Sequence, residues 1–387
     1  MTGLPLRMIS YILLMTFATG AFAQTLTTPT RRVTQSIDFA DDMDFQNLEL
    51  AIERQLSAYD VMGLKGSIRF GTKVYRRTVL RDSLSLLRDL TIMAKTCFKS
   101  YEKSFCLNTF NAEVNRRFAI YKPIPKKGEL GYRKTKTTQY TSYYSPDLVG
   151  SRVKSARFSR AIYGMPTNPA DQNYTRVQID YKGALEGKGH ELFYVEDSFY
   201  DLYLLHVQGG GRIKIINPDG STEFKYLSYA GKNTRTFKMV YHHMIEKGYL
   251  KGDASIPAQR KFLENHPEKE EEVFGSCPSY VYFKESDHEP LGLDNIPLTE
   301  GRSLAIDSRT YKITGLINFV KAVRPVAVDL DGKVSKVPFS RFFIAQDTGG
   351  AIRGNARCDL YSGYGPLAEL AAYNTNDLGE QYFLIKN

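Results

Sequence analysis

AQDTGGAIRGNARCDLYSGYG, residues 345–365, lies close to the C-terminus and holds two aspartates, Asp347 and Asp359, twelve positions apart. Five glycines lie around and between them: Gly349, Gly350, Gly354, Gly363 and Gly365. Aspartate beside glycine is turn chemistry, because Asp bonds its own backbone and Gly accepts positive φ. The same residues would also suit a carboxylate site whose backbone must come close to a ligand. The residues alone leave both readings open. The stretch resembles a phosphate loop only superficially, since it lacks the Gly-Lys-Ser/Thr ending and the Gly-x-Gly-x-x-Gly spacing.

Working outward, the neighbouring sequence alternates between strand and turn. Phe342–Ala345 and Val326–Leu330 read as strands, as does everything clear from Ser279 onward. Further upstream, Val177–Tyr181 and Tyr203–Val207 read as strands, and Ile213–Ile216 is followed by the turn signal Asn217-Pro218-Asp219-Gly220 and a return strand from Phe224. Phe237, Val240, Tyr241, Met244 and Ile245 predict a helix stopped by Gly248, and another runs over 257–266 into the charged run 268–272. Before about residue 125 the pattern is helical instead. Phe45, Leu48, Ile52, Leu56 and Tyr59 recur at spacings of three and four, with Asp44 as the expected cap. Two more helices follow, over 83–93 and 107–118, and Lys126–Lys136 is a basic linker. The expected class is mainly β with packed helices.

The chain has 387 residues, enough for two domains, and a net charge of +10. That charge favours an acidic partner, whether nucleic acid, an anionic lipid surface or an anionic wall polymer. The N-terminus has a basic start at Arg7, an apolar core over Ile9–Phe17 and a small-residue ending at Ala21-Phe22-Ala23. That is a secretory signal peptide with cleavage after about Ala23. Its apolar run is short for a bilayer span, no cysteine sits at the cut, and no later segment reaches transmembrane length. The expectation is an exported, periplasmic protein without stable membrane insertion, with residues 24–43 as a flexible leader. Export permits disulfides. Cys97 and Cys106 could close a short loop, leaving Cys277 and Cys358, although free buried thiols fit each pair as well.

Several chemistries are weakened. The histidines are scattered, and the adjacent His242 and His243 point to different faces of their helix, so no metal set is apparent. No Gly-x-Ser-x-Gly or Cys-x-x-Cys occurs. No nucleic-acid-binding module is recognisable, so nucleic acid is not the expected partner. Carboxylate chemistry remains, and it suits glycan cleavage: a carboxylic acid with raised pKa can protonate a leaving glycosidic oxygen. Tyr143, Tyr144 and Gln208 could supply stacking and amide contacts to sugars.

Five segments resemble the membrane-bound lytic murein transglycosylase A (MltA) family in order and spacing. They are Thr141-Ser142-Tyr143-Tyr144-Ser145-Pro146, His206-Val207-Gln208-Gly209-Gly210-Gly211-Arg212, Pro278–Phe283, Pro297–Asp307 and Gln346–Gly365. The resemblance covers roughly residues 75–387. It implies a double-psi β-barrel over 44–135 and 276–387, an inserted second β-barrel over 136–275, and a substrate groove between them. The three aspartates that mark the barrel module (3D) fall on Asp307, Asp347 and Asp359.

The family cuts the β-1,4 bond between N-acetylmuramic acid and N-acetylglucosamine without water, forming a 1,6-anhydro ring. The resemblance assigns the single acid and base to Asp359, with Asp347 and Asp307 in support. Substrate contacts are implied for Thr141, Tyr143, Tyr144, Gln208, Gly209, Gly349, Gly350 and Arg357. It implies peptidoglycan glycan strands as the partner, no cofactor or metal, and a monomer is assumed. Departures include Gly210 for the usual Ser, Ser142 for Gly and Cys277 for Asn. With Cys358 against the acid, they lead to an expected Cys277–Cys358 disulfide. An inverting hydrolase using Asp359 and Asp347, and a non-catalytic wall-binding protein, are the rival readings.

Overall fold

The computed structural model describes residues 25–387 apart from 197, 253 and 330–332. The signal peptide expected at 1–23 lies outside the described residues, as does Leu330 at the end of its expected strand. The N-terminal part contains β1 (Leu26–Thr27), β2 (Thr30–Val33), α1 (Leu48–Met62), β3 (Ser67–Phe70), β4 (Lys73–Arg76), α2 (Thr78–Cys97), α3 (Lys103–Arg117), β5 (Phe118–Pro123) and β6 (Thr138–Tyr143). The middle contains β7 (Asp147–Ser151), β8 (Phe158–Tyr163), α4 (Arg176–Asp180), β9 (Glu191–Glu196), α5 (Phe199–Gln208), β10 (Gly210–Ile216), β11 (Thr222–Lys232), α6 (Val240–Glu246), α7 (Ile256–Asn265), α8 (Glu270–Gly275) and β12 (Val281–Ser286). The C-terminal part contains β13 (Ser303–Ile306), α9 (Ser308–Tyr311), β14 (Ile317–Val328), β15 (Val334–Asp347), β16 (Arg357–Tyr361), α10 (Gly365–Asn374) and β17 (Asn376–Lys386).

The first domain is a closed barrel. Its strands run β14-β15-β13-β16-β6-β17, and β17 pairs back onto β14 to shut the ring, with β5 and β2 continuing beyond β17. The last strand changes partner along its length. Asn376–Gly379 pairs with β6, Glu380–Leu384 with β14, and Phe383–Lys386 with β5. Gly379 sits at the switch, where a Cβ would come within 2.5 Å of the Lys321 carbonyl oxygen and 2.7 Å of the Tyr140 ring. Only glycine lets the strands cross that closely. Helices α1–α3 pack on this barrel and share its core, with Ile52, Tyr59, Leu84, Leu87 and Phe110 against Phe319, Phe342 and Phe383.

The second domain is the sheet β12-β11-β10-β7-β9-β8. A bridge from Gly164 to Phe283 brings its two edges together. Strand β6 joins the sheet of the first barrel and β12 the sheet of the second.

Two expected strands are helices. Val177–Tyr181 lies mostly in α4, where Thr175 and Gln178 form a reciprocal capping box that stabilises the first turn. Tyr203–Val207 lies in α5, which Ser198 caps. Its Leu202 and Leu205 face the second barrel while Tyr203 and Leu204 face a separate helical core. A short helix buried on both sides has no polar face, so its periodicity cannot be told from that of a buried strand.

The leader is not loose. β1 and β2 join sheets, Phe39 is fully buried, and Asp41 pairs with Arg302 where both side chains are wholly buried. Arg302 donates to Asp41 at 2.6 and 2.8 Å and to the carbonyls of Gln46 and Phe342. Burial alone would raise the Asp41 pKa, but this guanidinium and the N–H groups of Phe342 and Phe45 hold it below the usual range. Asp44 does not cap α1. It and Phe45 adopt positive φ in an irregular turn, and Asn47 occupies the cap position without a side-chain bond. Cys97 and Cys106 form a disulfide between α2 and α3. Cys277 and Cys358 are free and packed in different cores, so the expected bond between them is absent.

Arg302→Ala strands a buried carboxylate. Urea unfolding is expected to show a loss of about 3–5 kcal/mol, and the Asp41→Ala/Arg302→Ala double variant is expected to lose less than the sum of the two singles.

Candidate active site

The two aspartates of 345–365 meet through strand register. Ala305 of β13 pairs with Asp347 on one side and Asp359 on the other, and Asp359 pairs with Thr141 of β6. Cross-strand partners project to the same face, so Asp347, Ala305, Asp359 and Thr141 form one row across four strands. Two strand spacings put the aspartate Cα atoms roughly 10 Å apart. The alternate residues Cys358, Leu360, Leu304 and Ile306 enter the barrel core on the opposite face.

A β-bulge makes the row possible. Leu304 pairs with Ala345 but Ala305 with Asp347, so Gln346 is the extra residue. Its buried amide donates to the Ala51 carbonyl at 3.0 Å, and its oxygen accepts from Ser303 Oγ at 2.7 Å. Without the bulge, Gln346 would hold the position opposite Ala305. The bulge re-aims Asp347 instead.

Asp359 is half-buried, and its Oδ1 accepts from Thr141 Oγ1 at 2.7 Å. Arg357 donates to the same hydroxyl oxygen at 3.1 Å. Burial pushes the Asp359 pKa up to about 6, against the Thr141 bond and the nearby Arg357 charge. Asp347 accepts from Tyr143 Oη at 2.6 Å and from the Thr348 N–H at 2.8 Å. Its pKa is also raised to about 6, chiefly by burial, with the bonds from Tyr143 and Thr348 opposing and the Asp359 charge adding. Burial and the Asp347 carboxylate push the Tyr143 phenol well up, so it stays a donor.

Asp307 does different work. It caps α9 by accepting from the Arg309 N–H at 3.0 Å, and it accepts from the Gly354 N–H at 2.9 Å. Burial alone would raise its pKa, but these N–H groups, Thr310 and Arg309 bring it below the ordinary value. It fastens the loop between β15 and β16 as a carboxylate. Gly354 in that loop has φ +114°, and a Cβ there would overlap the Glu129 carboxylate. Gly349 and Gly350 lack positive φ, and Gly350 borders open space.

Tyr144 and Gln208 come together where β6 leads into the second domain. The Tyr144 N–H donates to Gln208 Oε1 at 3.4 Å, with Gly209 in the left-handed conformation just after α5. The Tyr144 ring is buried and its hydroxyl bonds that of Tyr373, so it offers no open stacking face. Cys358 is buried with its thiol pKa pushed up, on the face away from Asp359. Sequence reasoning missed Glu129, whose Oε1 accepts from the Asn355 N–H at 2.5 Å. The available signal was a lone acid inside a basic linker. Among the described residues, no group of three or more His, Cys, Asp or Glu could hold a metal ion.

Two family models match the chain: the MltA specific insert domain over 139–284 and the 3D domain over 302–384. Membrane-bound lytic murein transglycosylase A of Vibrio cholerae is 32% identical over 63% of this chain and 64% of its own length. The Escherichia coli protein of the same name is 33% identical over 64% of this chain and 65% of its own. The matches thus span a little under two thirds of those relatives. A crystal structure of E. coli MltA with bound chitohexaose superimposes with a TM-score of 0.69 at 23% identity, covering 92% of this chain and 94% of that one. This last likeness supports the two-barrel fold.

A carboxyl whose folded pKa is raised favours the fold below its unfolded value and loses that contribution as pH rises through the folded value. For Asp359 the window runs from 3.8 to about 6. Asp359→Asn is therefore expected to raise thermal stability at pH 8, by about 1–2 kcal/mol, with little change at pH 4. Gly354→Ala is expected to lower it by more than about 1 kcal/mol, and Gly350→Ala by less than about 0.5 kcal/mol.

Proposed function

We propose that this chain, which belongs to the MltA family and carries its 3D domain, is a lytic transglycosylase acting on peptidoglycan. The observation that carries the reading is the half-buried carboxyl of Asp359, with a pKa raised to about 6 and Oδ1 oriented by Thr141, beside an Asp347 whose two oxygens are both already engaged. Near neutral pH such a group holds a proton part of the time and yields it readily, as general acid catalysis requires.

In the proposed reaction Asp359 donates its proton to the oxygen leaving the muramoyl C1, and the glycosidic bond breaks. The muramoyl 6-hydroxyl oxygen then bonds C1, and its proton passes to Asp359. The product is a 1,6-anhydro ring, no water is consumed, and the acid ends in its starting form. Asp347 serves as a positioning residue, since both of its oxygens are already engaged by Tyr143 and Thr348. That engagement argues against Asp347 as the water-activating base of an inverting hydrolase. Export to the periplasm rests on the sequence of residues 1–23. Among the described residues, no helix is long and apolar enough to cross a membrane.

Mass spectrometry of digested sacculi tests the reading. Anhydro-muropeptides without 18O uptake from labelled water are expected, and Asp359→Asn is expected to reduce their yield by a factor of 10² or more. Because the first step needs the protonated acid, kcat/KM is expected to fall about tenfold per pH unit above about 6. Reducing ends carrying 18O would mean a hydrolase, and retained binding with no product would mean a wall-binding protein.

A further inference from the structure

The linker between β5 and β6 carries Lys126, Lys127, Arg133, Lys134 and Lys136, all exposed. None of the five forms an ion pair among the described residues. Some cations on the barrel strands are paired, Lys122 with Glu380, Lys336 with Asp377 and Arg341 with Asp42, so the strip differs in holding five cations without an ion pair close together. Five like charges without an ion pair on one short segment, Arg133 stacked on the Tyr132 ring, repel one another and attract an anionic partner.

The segment is built against the candidate active site. Turn bonds run from the Glu129 N–H to Lys126, from Tyr132 to Glu129 and from Lys134 to Gly131. Asn355 of the loop leading into β16 binds both ends of the first half. Its N–H donates to Glu129 at 2.5 Å, and its amide donates to the Ile124 carbonyl at 2.9 Å. The linker then runs into β6, which carries Thr141. Asn355 lies four residues before Asp359, about 13 Å in extended chain.

We infer that this cationic strip receives the carboxylates of the peptide stems on the glycan strand, seating the muramoyl residue over Asp359. The inference rests on peptidoglycan being the substrate. A stem of about four residues reaches roughly 13–14 Å when extended, about the span from Asp359 to Asn355, the residue that anchors the segment carrying the strip. Exposed charge contacts are individually weak and salt-sensitive, so the strip orients and attracts rather than anchors.

The test uses the full chain carrying Asp359→Asn, so that substrate is held without turnover. Co-sedimentation is measured with intact sacculi, with sacculi stripped of stems, and with vesicles of anionic phospholipid. Adding Lys126→Gln, Lys127→Gln, Lys134→Gln and Lys136→Gln is expected to weaken binding to intact sacculi about tenfold at low salt. It is expected to flatten the salt dependence and to leave binding to stripped glycan within about twofold. The same four positions changed to Arg should retain binding. Equal losses on intact and stripped sacculi, or no loss on either, would overturn the inference. So would binding to the vesicles that exceeds binding to intact sacculi and vanishes in the Gln variant, which would assign the strip to a membrane surface. Binding is read without turnover, so failure here is distinct from failure of the proposed reaction, which product analysis reads.

Discussion

The row Asp347–Ala305–Asp359–Thr141 depends on register, and the rest of the site depends on the row. Its members come from residues 138–143, 303–306, 334–347 and 357–361, strands brought side by side only by closure of the barrel. A one-residue slip of β15 or β16 would turn a carboxylate into the hydrophobic core. The bulge at Gln346 shows how tightly this is set, because the regular pairing would aim the wrong residue. Burying a charged carboxylate is unfavourable, and that raises the proton affinity of both Asp359 and Asp347. The feature that works against stability near neutral pH is the one that makes a proton donor there.

Other parts of the chain keep this arrangement in place. The N-terminal residues reach back to the barrel through the buried Asp41–Arg302 pair, which begins two residues before Leu304 of the row's central strand. Asp307, directly after that strand, ties down the loop that joins Asp347 to Asp359. Glu129 holds the same loop from the other side. Of the three aspartates, Asp347 is held by Tyr143 and Thr348, Asp307 fastens the loop, and Asp359 is the one proposed for proton transfer. The difference lies in their hydrogen-bond partners rather than in their residue type.

Much of this was legible in the sequence. The apolar spacing of 45–59 marked α1, and Asn217-Pro218-Asp219-Gly220 marked the β10–β11 hairpin, because both signals are local. The motif segments singled out Asp359, Asp347, Thr141 and Tyr143, which the barrel assembles into one cluster. The failures share a cause. α5 is buried on both faces and so lacks a helical pattern. Residues 24–43 look polar and loose until Arg302, more than 250 positions away, pairs with Asp41. Cys277 and Cys358 were matched from their places in the motif segments, yet they lie in separate cores. In each case the deciding contact is remote in sequence. The Glu129 contact and the Gln346 bulge were illegible for the same reason.

The central claim is that Asp359 carries a proton close to neutral pH because of where the barrel puts it. A 13C NMR titration of side-chain carboxyl resonances, assigned to Asp359 by comparison with the Asp359→Asn variant, reads this without reference to turnover. A midpoint near 6 is expected, with the Asp347 resonance titrating in the same range. A midpoint near 4, the ordinary value for an exposed aspartate, would contradict the account.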